Sequence, residues 1–167
     1  MIKIISAILL ALFISGCGSQ KNMSVAFKPY QSVSKESATL VQTGKDKQYC
    51  VKCGMDLVRF YKTSHASEHE GTHYQYCSIH CLEDHLGDGI TLKNPRVVDV
   101  GSLKLISVAD AHYVVGSKIR GTMSRTSKYA FLNLADAQEF QSKNGGKIMD
   151  FNKAREIAQE DFKHYRN

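Results

Sequence analysis

Cys50-Val-Lys-Cys53-Gly-Met55 places two thiols and a thioether within six consecutive positions. Thiolate and thioether sulfur are soft donors that select Cu(I) over hard ions, and thiolate pairs also suit Zn(II). A second cluster, Cys77-Ser-Ile-His80-Cys81, follows after the 23 residues from Gly54 to Tyr76. Four thiols meet if that stretch doubles back. Taken alone, Cys-x-x-Cys reads as a metal ligand pair, a redox dithiol or a structural disulfide. The spacing of the two clusters is close to that of zinc ribbons and treble clefs, so a closed four-thiolate Zn(II) module is one competing reading. A thiol-disulfide oxidoreductase using Cys50 and Cys53 is another, although Gly54-Met55-Asp56 does not supply the long helix that should follow a thioredoxin-type dithiol. Met55 is either a core filler or a donor, and His80 either a solvated helix residue or a ligand. His65, His69 and His73 read as exposed residues with at most a secondary role in metal capture. Met123 stands between Gly121-Thr122 and Ser124-Arg125, a polar setting with little apolar surface for a methionine to fill.

The elements that position these residues follow from patterning. Leu57 to Tyr61 and His73 to Cys77 read as two short strands, with a turn over 68–72 and Gly71 permitting it. Ser78 to Leu86 reads as a helix capped by Ser78, which puts Cys77, Cys81 and His85 at four-residue spacing along one face. Three apolar runs, 97–100, 103–108 and 112–115, suggest an antiparallel meander, and Tyr129-Ala130-Phe131 a further strand. Leu134 to Lys143 is a helix with Asn133 as N-cap and Gly145-Gly146 beyond its end. Lys147 to Phe151 returns as a strand. A final amphipathic helix from Asn152 to about Tyr165 turns Ala154, Ile157, Ala158 and Phe162 inward. The fold class is α+β.

The start of the chain carries an address. Lys3 precedes an apolar run, Ile4 to Ile14, too short for a membrane span and ending in small residues, so residues 1–16 read as an export signal. Phe13-Ile14-Ser15-Gly16-Cys17 resembles a bacterial lipobox, which makes Cys17 a lipid-modified N-terminus. Residues 17–46, rich in Ser, Lys, Gln and Thr, read as the lipidated end and a flexible tether, with 26–30 able to dock on the domain; residues 47–167 form the metal-binding domain. The expected location is outside the cytoplasm, anchored to a bacterial membrane, inner or outer being left open. The formal charge of +6 is scattered, without the aromatic-interleaved basic run of a nucleic-acid binder. No hydrolytic constellation stands out.

Cys53-Gly54-Met55, followed by Tyr76-Cys77-Ser78-Ile79-His80-Cys81, resembles the NosL family of nitrous-oxide reductase accessory lipoproteins. Tyr113-Val114-Val115-Gly116-Ser117, Gly121-Thr122-Met123, Ala130-Phe131, Ala137-Gln138-Glu139-Phe140 and Asn144-Gly145-Gly146-Lys147 continue the resemblance in the same order. It implies a pair of related ββαβ units, similar to organomercurial lyase. It also implies a membrane-anchored Cu(I) carrier, not a catalyst, that supplies nitrous-oxide reductase or its maturation machinery in the periplasm. By family match the ligands are Cys53 and Met123 with an exchangeable third donor. Gly121-Thr122-Met123-Ser124 replaces the family's commoner Gly-Pro-Met-Gly. Cys50, Cys77 and Cys81 exceed what a Cys/Met site requires and leave room for a second or different metal site.

Overall fold

The computed structural model describes residues 28–163. The export signal, Cys17 and the first part of the tether lie outside the described residues, as does the side chain of Phe162. The chain forms two ββαβ units in succession. The first comprises β1 (His65–His69), β2 (Thr72–Tyr76), α1 (Ile79–Gly87) and β3 (Lys93–Val98), and β4 (Leu105–Ser107) adds to its sheet. The second comprises β5 (His112–Val115), β6 (Lys128–Phe131), α2 (Leu134–Asn144) and β7 (Lys147–Met149), and is followed by α3 (Phe151–Lys163). The strand orders are β2-β1-β3-β4 and β6-β5-β7, all antiparallel, so each unit places its own first strand between its second and third.

Two expectations about strands are corrected. Leu57 to Tyr61 is a turn leading into a 3-10 segment, not a strand. The Asp56 carboxylate accepts the backbone N–H groups of Val58 and Arg59 at 2.8 and 3.0 Å, which curls the chain where its β-rich composition favours extension. The first strand is instead His65–His69, and it turns into β2 through Glu70 and Gly71. Both have positive φ, 49° and 77°, the geometry of a two-residue hairpin turn whose twist matches the flanking strands. The expected meander also breaks. β3 and β4 pair, but a 3-10 turn over Val108–Asp110, whose Ala109 N–H is accepted by Ser107 Oγ, carries β5 into the other sheet.

The helices lie close to their expected spans. Ser78 and Asn133 occupy the N-cap positions, but neither side chain caps its helix. Ala154 and Ala158 of α3 are fully buried in a core with Ile79, Val97, Tyr113, Val115 and Ala130. Small residues there let α3 approach α1 and β5 closely. Glu83 of α1, itself buried, is held to α3 by Arg155 and by the Gln159 amide at 2.9 Å. The two sheets meet at Asp99, whose carboxylate accepts the N–H groups of Gly101, Ser102 and Leu132 while Val100 N–H reaches the Ala130 carbonyl at 2.9 Å.

Residues 29–46, assigned by composition to the tether, run along the domain with regular partners. Val33 N–H reaches the Val58 carbonyl, Thr39 N–H the Tyr61 hydroxyl, and Val41 N–H the Gln75 side chain. Gln75 is completely buried and its amide also donates to the Thr39 carbonyl. The composition is polar because this stretch is held through hydrogen bonds, with only a few apolar anchors such as Leu40.

Candidate metal centre

The first cysteine pair sits in a tight turn. Cys50 N–H bonds the Met55 carbonyl at 2.8 Å and Gly54 N–H the Cys50 carbonyl at 2.9 Å, closing a loop in which Gly54 takes φ 72°. A side chain there would be strained, which is the physical need for glycine after Cys53. Lys52, inside the turn, bridges to α1 through Asp84 at 3.2 Å and Asp88 at 2.6 Å. The second pair straddles the start of α1: Cys77 follows β2, and Cys81 lies one helical turn on.

The β1–β2 hairpin therefore returns the chain to its starting turn, and all four Sγ atoms lie within 4.8 Å of one another. Cys53 Sγ is 3.5 Å from Cys77 Sγ, which is 3.7 Å from Cys81 Sγ. A soft ion held at about 2.3 Å by sulfurs in tetrahedral array needs sulfur–sulfur edges of about 3.8 Å. The residues present fit a soft cation. Cys50, Cys77 and Cys81 are buried, with Leu57, Tyr76 and Leu82 around them and Met55 half-buried against the group; Cys53 is exposed at the edge.

Electrostatics favour charge on Cys50. The neighbouring Cys77 and Cys81 thiols, and then the backbone N–H groups of Cys77 and Cys53, hold its thiol well below the ordinary range against the opposing effect of burial. Cys77 and Cys81 are pushed up, first by interaction with the Cys50 sulfur and further by burial. A bound soft cation favours the thiolate form of each sulfur it takes.

Cys53 also opens onto a second feature, a surface cavity of about 430 Å³ lined by Lys52, Cys53, His80, Cys81, Asp84, Met123 and Ser124. The two ββαβ units thus converge on it, the first through the cysteine turn and α1, the second through the loop between β5 and β6. Met123 is half exposed and adopts φ 53°, a left-handed conformation that a non-glycine residue takes at a cost of about 1–2 kcal/mol. Its neighbours explain how it is held there. Thr122 is buried, with its hydroxyl 2.7 Å from that of Thr63. Ser124 and Thr126 reach the Asp161 carboxylate of α3 at 3.4 and 3.3 Å.

Asp161 anchors a buried charged group. Lys128 Nζ donates to Asp161 Oδ2 at 3.0 Å, to the Thr126 carbonyl at 2.8 Å and to Ser124 Oγ at 3.2 Å. His80 Nε2 lies 3.2 Å from the same carboxylate oxygen. Burial raises the Asp161 carboxyl, but Lys128 and then His80 outweigh it and hold it below the usual carboxylate range. Burial, followed by the charge of Lys128, pushes His80 down to about 4. The reading of His80 as a solvated helix residue is therefore corrected: it is buried and tied to the support of the Met123 loop while also lining the cavity.

The histidines of the hairpin do not act together. His65, expected to be exposed, is completely buried, with Nδ1 3.1 Å from the Thr63 carbonyl and Nε2 3.1 Å from the Tyr113 hydroxyl. His65, Ala66 and Ser67, successive residues of β1, are all buried, so both faces of the strand are covered at that end. His69 bonds the Thr91 carbonyl and His73 faces Glu68. Sequence reasoning did not single out Lys128 or Asp161. The available signal was the position of Asp161, a carboxylate continuing the inward row Ala154, Ile157, Ala158 on α3. Nor does the Cys50–Cys53 turn lead into a helix, so the oxidoreductase reading lacks the element it requires.

A paired ββαβ domain in which both units contribute sulfur to one opening defines a class of small α+β metal-binding proteins. The family model described as NosL matches residues 41–160, and the chain belongs to the NosL family. Its fold is similar to that in the crystal structure of the copper chaperone NosL from Shewanella denitrificans, with a TM-score of 0.53 and 23% sequence identity over 66% of this chain and 92% of that chain. No curated protein matches the chain. No helix among the described residues is long and apolar enough to cross a membrane.

Proposed function

We propose that the chain is a Cu(I) carrier, tethered through Cys17 to the periplasmic face of a bacterial membrane, that supplies copper for the maturation of nitrous-oxide reductase. The observation that carries this reading is the convergence of Cys53 and Met123, from different units, on one open cavity. A thiolate and a thioether are the donors a soft monovalent ion prefers. An open, low-coordinate site accepts a recipient's ligand before its own ligands leave, which is what handover demands. Family membership and the chaperone named among similar structures support the same direction. The lipid anchor raises the effective concentration of the carrier near an anchored recipient.

A closed Zn(II) module is favoured by one observation, the four sulfurs within 4.8 Å. It gives no role to Met123, whose strained conformation at the cavity then has no purpose. The carrier reading is tested in cells that make nitrous-oxide reductase. Deleting the gene should leave the reductase synthesised but copper-poor, and re-expression of wild type, but not Cys53→Ser, should restore its copper. A reductase with normal copper content in the deletion strain would remove the assigned role.

A further inference from the structure

Cys53 belongs to two donor groups at once. On its inner side it completes the cluster with Cys50, Cys77 and Cys81, 3.5 Å from the Cys77 sulfur. On its outer side it lines the cavity that Cys81 and Met123 also line. A carrier site of one thiolate and one thioether leaves three buried thiols without use. Buried thiols that served only packing would be surrounded by carbon, yet these three face one another and Cys53.

We propose that the chain holds two soft ions in adjoining positions that share the Cys53 thiolate. The inner position is formed by Cys50, Cys77 and Cys81 with Cys53 at its edge; the outer is formed by Cys53 and Met123. The probe ion is Cu(I). Each thiol that binds releases its proton to solvent, and no electron is transferred. A thiolate carries more than one lone pair and can bridge two Cu(I) ions, so Cys53 need not leave one to hold the other.

The arrangement separates storage from release. The inner position is walled by the buried Cys50, Cys77 and Cys81 and touches the cavity at Cys53 and Cys81, whereas the outer position, at Cys53 and Met123, is open to an incoming ligand. Once the outer ion departs, the inner one moves outward by giving up its bonds to Cys50, Cys77 and Cys81, whose thiolates take protons back from solvent, and gaining one to Met123 while Cys53 keeps its bond. No step requires a free ion. Lys52, fixed between Asp84 and Asp88, holds the turn that carries Cys53 against α1 during the exchange.

This inference rests on the Cys53 and Met123 reading above, and one set of measurements distinguishes the two. Reduced, lipid-free mature protein is titrated anaerobically with Cu(I) against a chromogenic Cu(I) chelator, and the loaded protein is examined by copper X-ray absorption. Wild type should take two equivalents and show a copper–copper scattering path from the shared thiolate. Met123→Leu should take one equivalent and lose that path. Cys81→Ser should also take one, now with the thioether present. A single equivalent in wild type, with none held by Met123→Leu, overturns the inner position and leaves the carrier site standing. Two equivalents in both wild type and Met123→Leu overturns the thioether position and with it the shared pair. Met123→Leu changes no thiol, so its comparison with wild type decides even if Cys81→Ser fails to fold.

Discussion

The hydroxyl oxygens of Thr63 and Thr122 lie 2.7 Å apart, and Thr63 Oγ1 is also 2.8 Å from the Cys77 carbonyl oxygen. A buried hydrogen-bonded contact therefore joins the residue before Met123 to the backbone of a cluster cysteine. It fixes the thioether loop of one unit to the thiol group of the other. Thr63→Val keeps the volume and removes the link, leaving buried polar groups without their partner. Urea unfolding should show a loss of about 1–3 kcal/mol. Affinity for the outer Cu(I) should fall even though no ligand has changed.

Met123 supplies a separable pair of effects. Its φ of 53° suits glycine, so Met123→Gly removes local strain and the thioether together. The variant should be as stable as wild type or more stable by about 1 kcal/mol, allowing for the small loss of apolar contact at a half-exposed site. Cu(I) uptake at the outer position should disappear. Thermal unfolding and chelator competition measure the two independently. A variant less stable than wild type by several kcal/mol would mean that the side chain packs and does not present its sulfur.

The ion pair beneath the loop gives a third expectation. Lys128 and Asp161 are both buried and both bonded to the loop residues Ser124 and Thr126. Asp161→Leu leaves the ammonium of Lys128 buried without its carboxylate and should cost about 3–5 kcal/mol. Adding Lys128→Met should recover much of that loss, because the uncompensated charge is gone. A double-mutant cycle in denaturant checks this. Recovered stability should not restore outer Cu(I) affinity, since Ser124 and Thr126 still lack Asp161.

His65 governs an acid limb. Complete burial pushes its imidazole down from 6.5 to about 4. Between those pH values the unfolded chain binds a proton that the folded chain does not, so stability rises with pH across the window. The contribution is fully present above pH 6.5 and is lost as pH falls toward about 4. Unfolding free energy measured between pH 7 and 4 should decline for wild type and decline less for His65→Gln. Equal slopes would mean that another group controls the acid limb.

Much of the domain was legible in the sequence where local patterns and tertiary structure agree. The four-residue recurrence of Cys77, Cys81 and His85, the apolar spacing of 134–143 and the glycines at 145–146 each mark an element that forms where expected. Gly146 carries more than a stop signal, because a Cβ there would meet the Val115 carbonyl oxygen at 2.7 Å. Legibility failed where a single polar side chain redirects the backbone, as Asp56 and Ser107 do. It failed again where the covering of both sheet faces buries residues such as His65 whose type favours the surface. For the site, cysteine spacing was enough to foresee that thiols meet. The support of the Met123 loop was not visible, because Lys128 and Asp161 are ordinary charged residues whose partnership exists only once α3 packs beside β6.

The central claim, that the thioether of Met123 binds the copper the chain carries, is tested most directly with selenium as a label. Reduced protein made with selenomethionine is saturated with Cu(I), and the copper X-ray absorption is examined for a copper–selenium path. Wild type should show that path, and Met123→Leu, which keeps Met55 and the other methionines, should lose it. Its absence from wild type, or its persistence in Met123→Leu, would contradict the account.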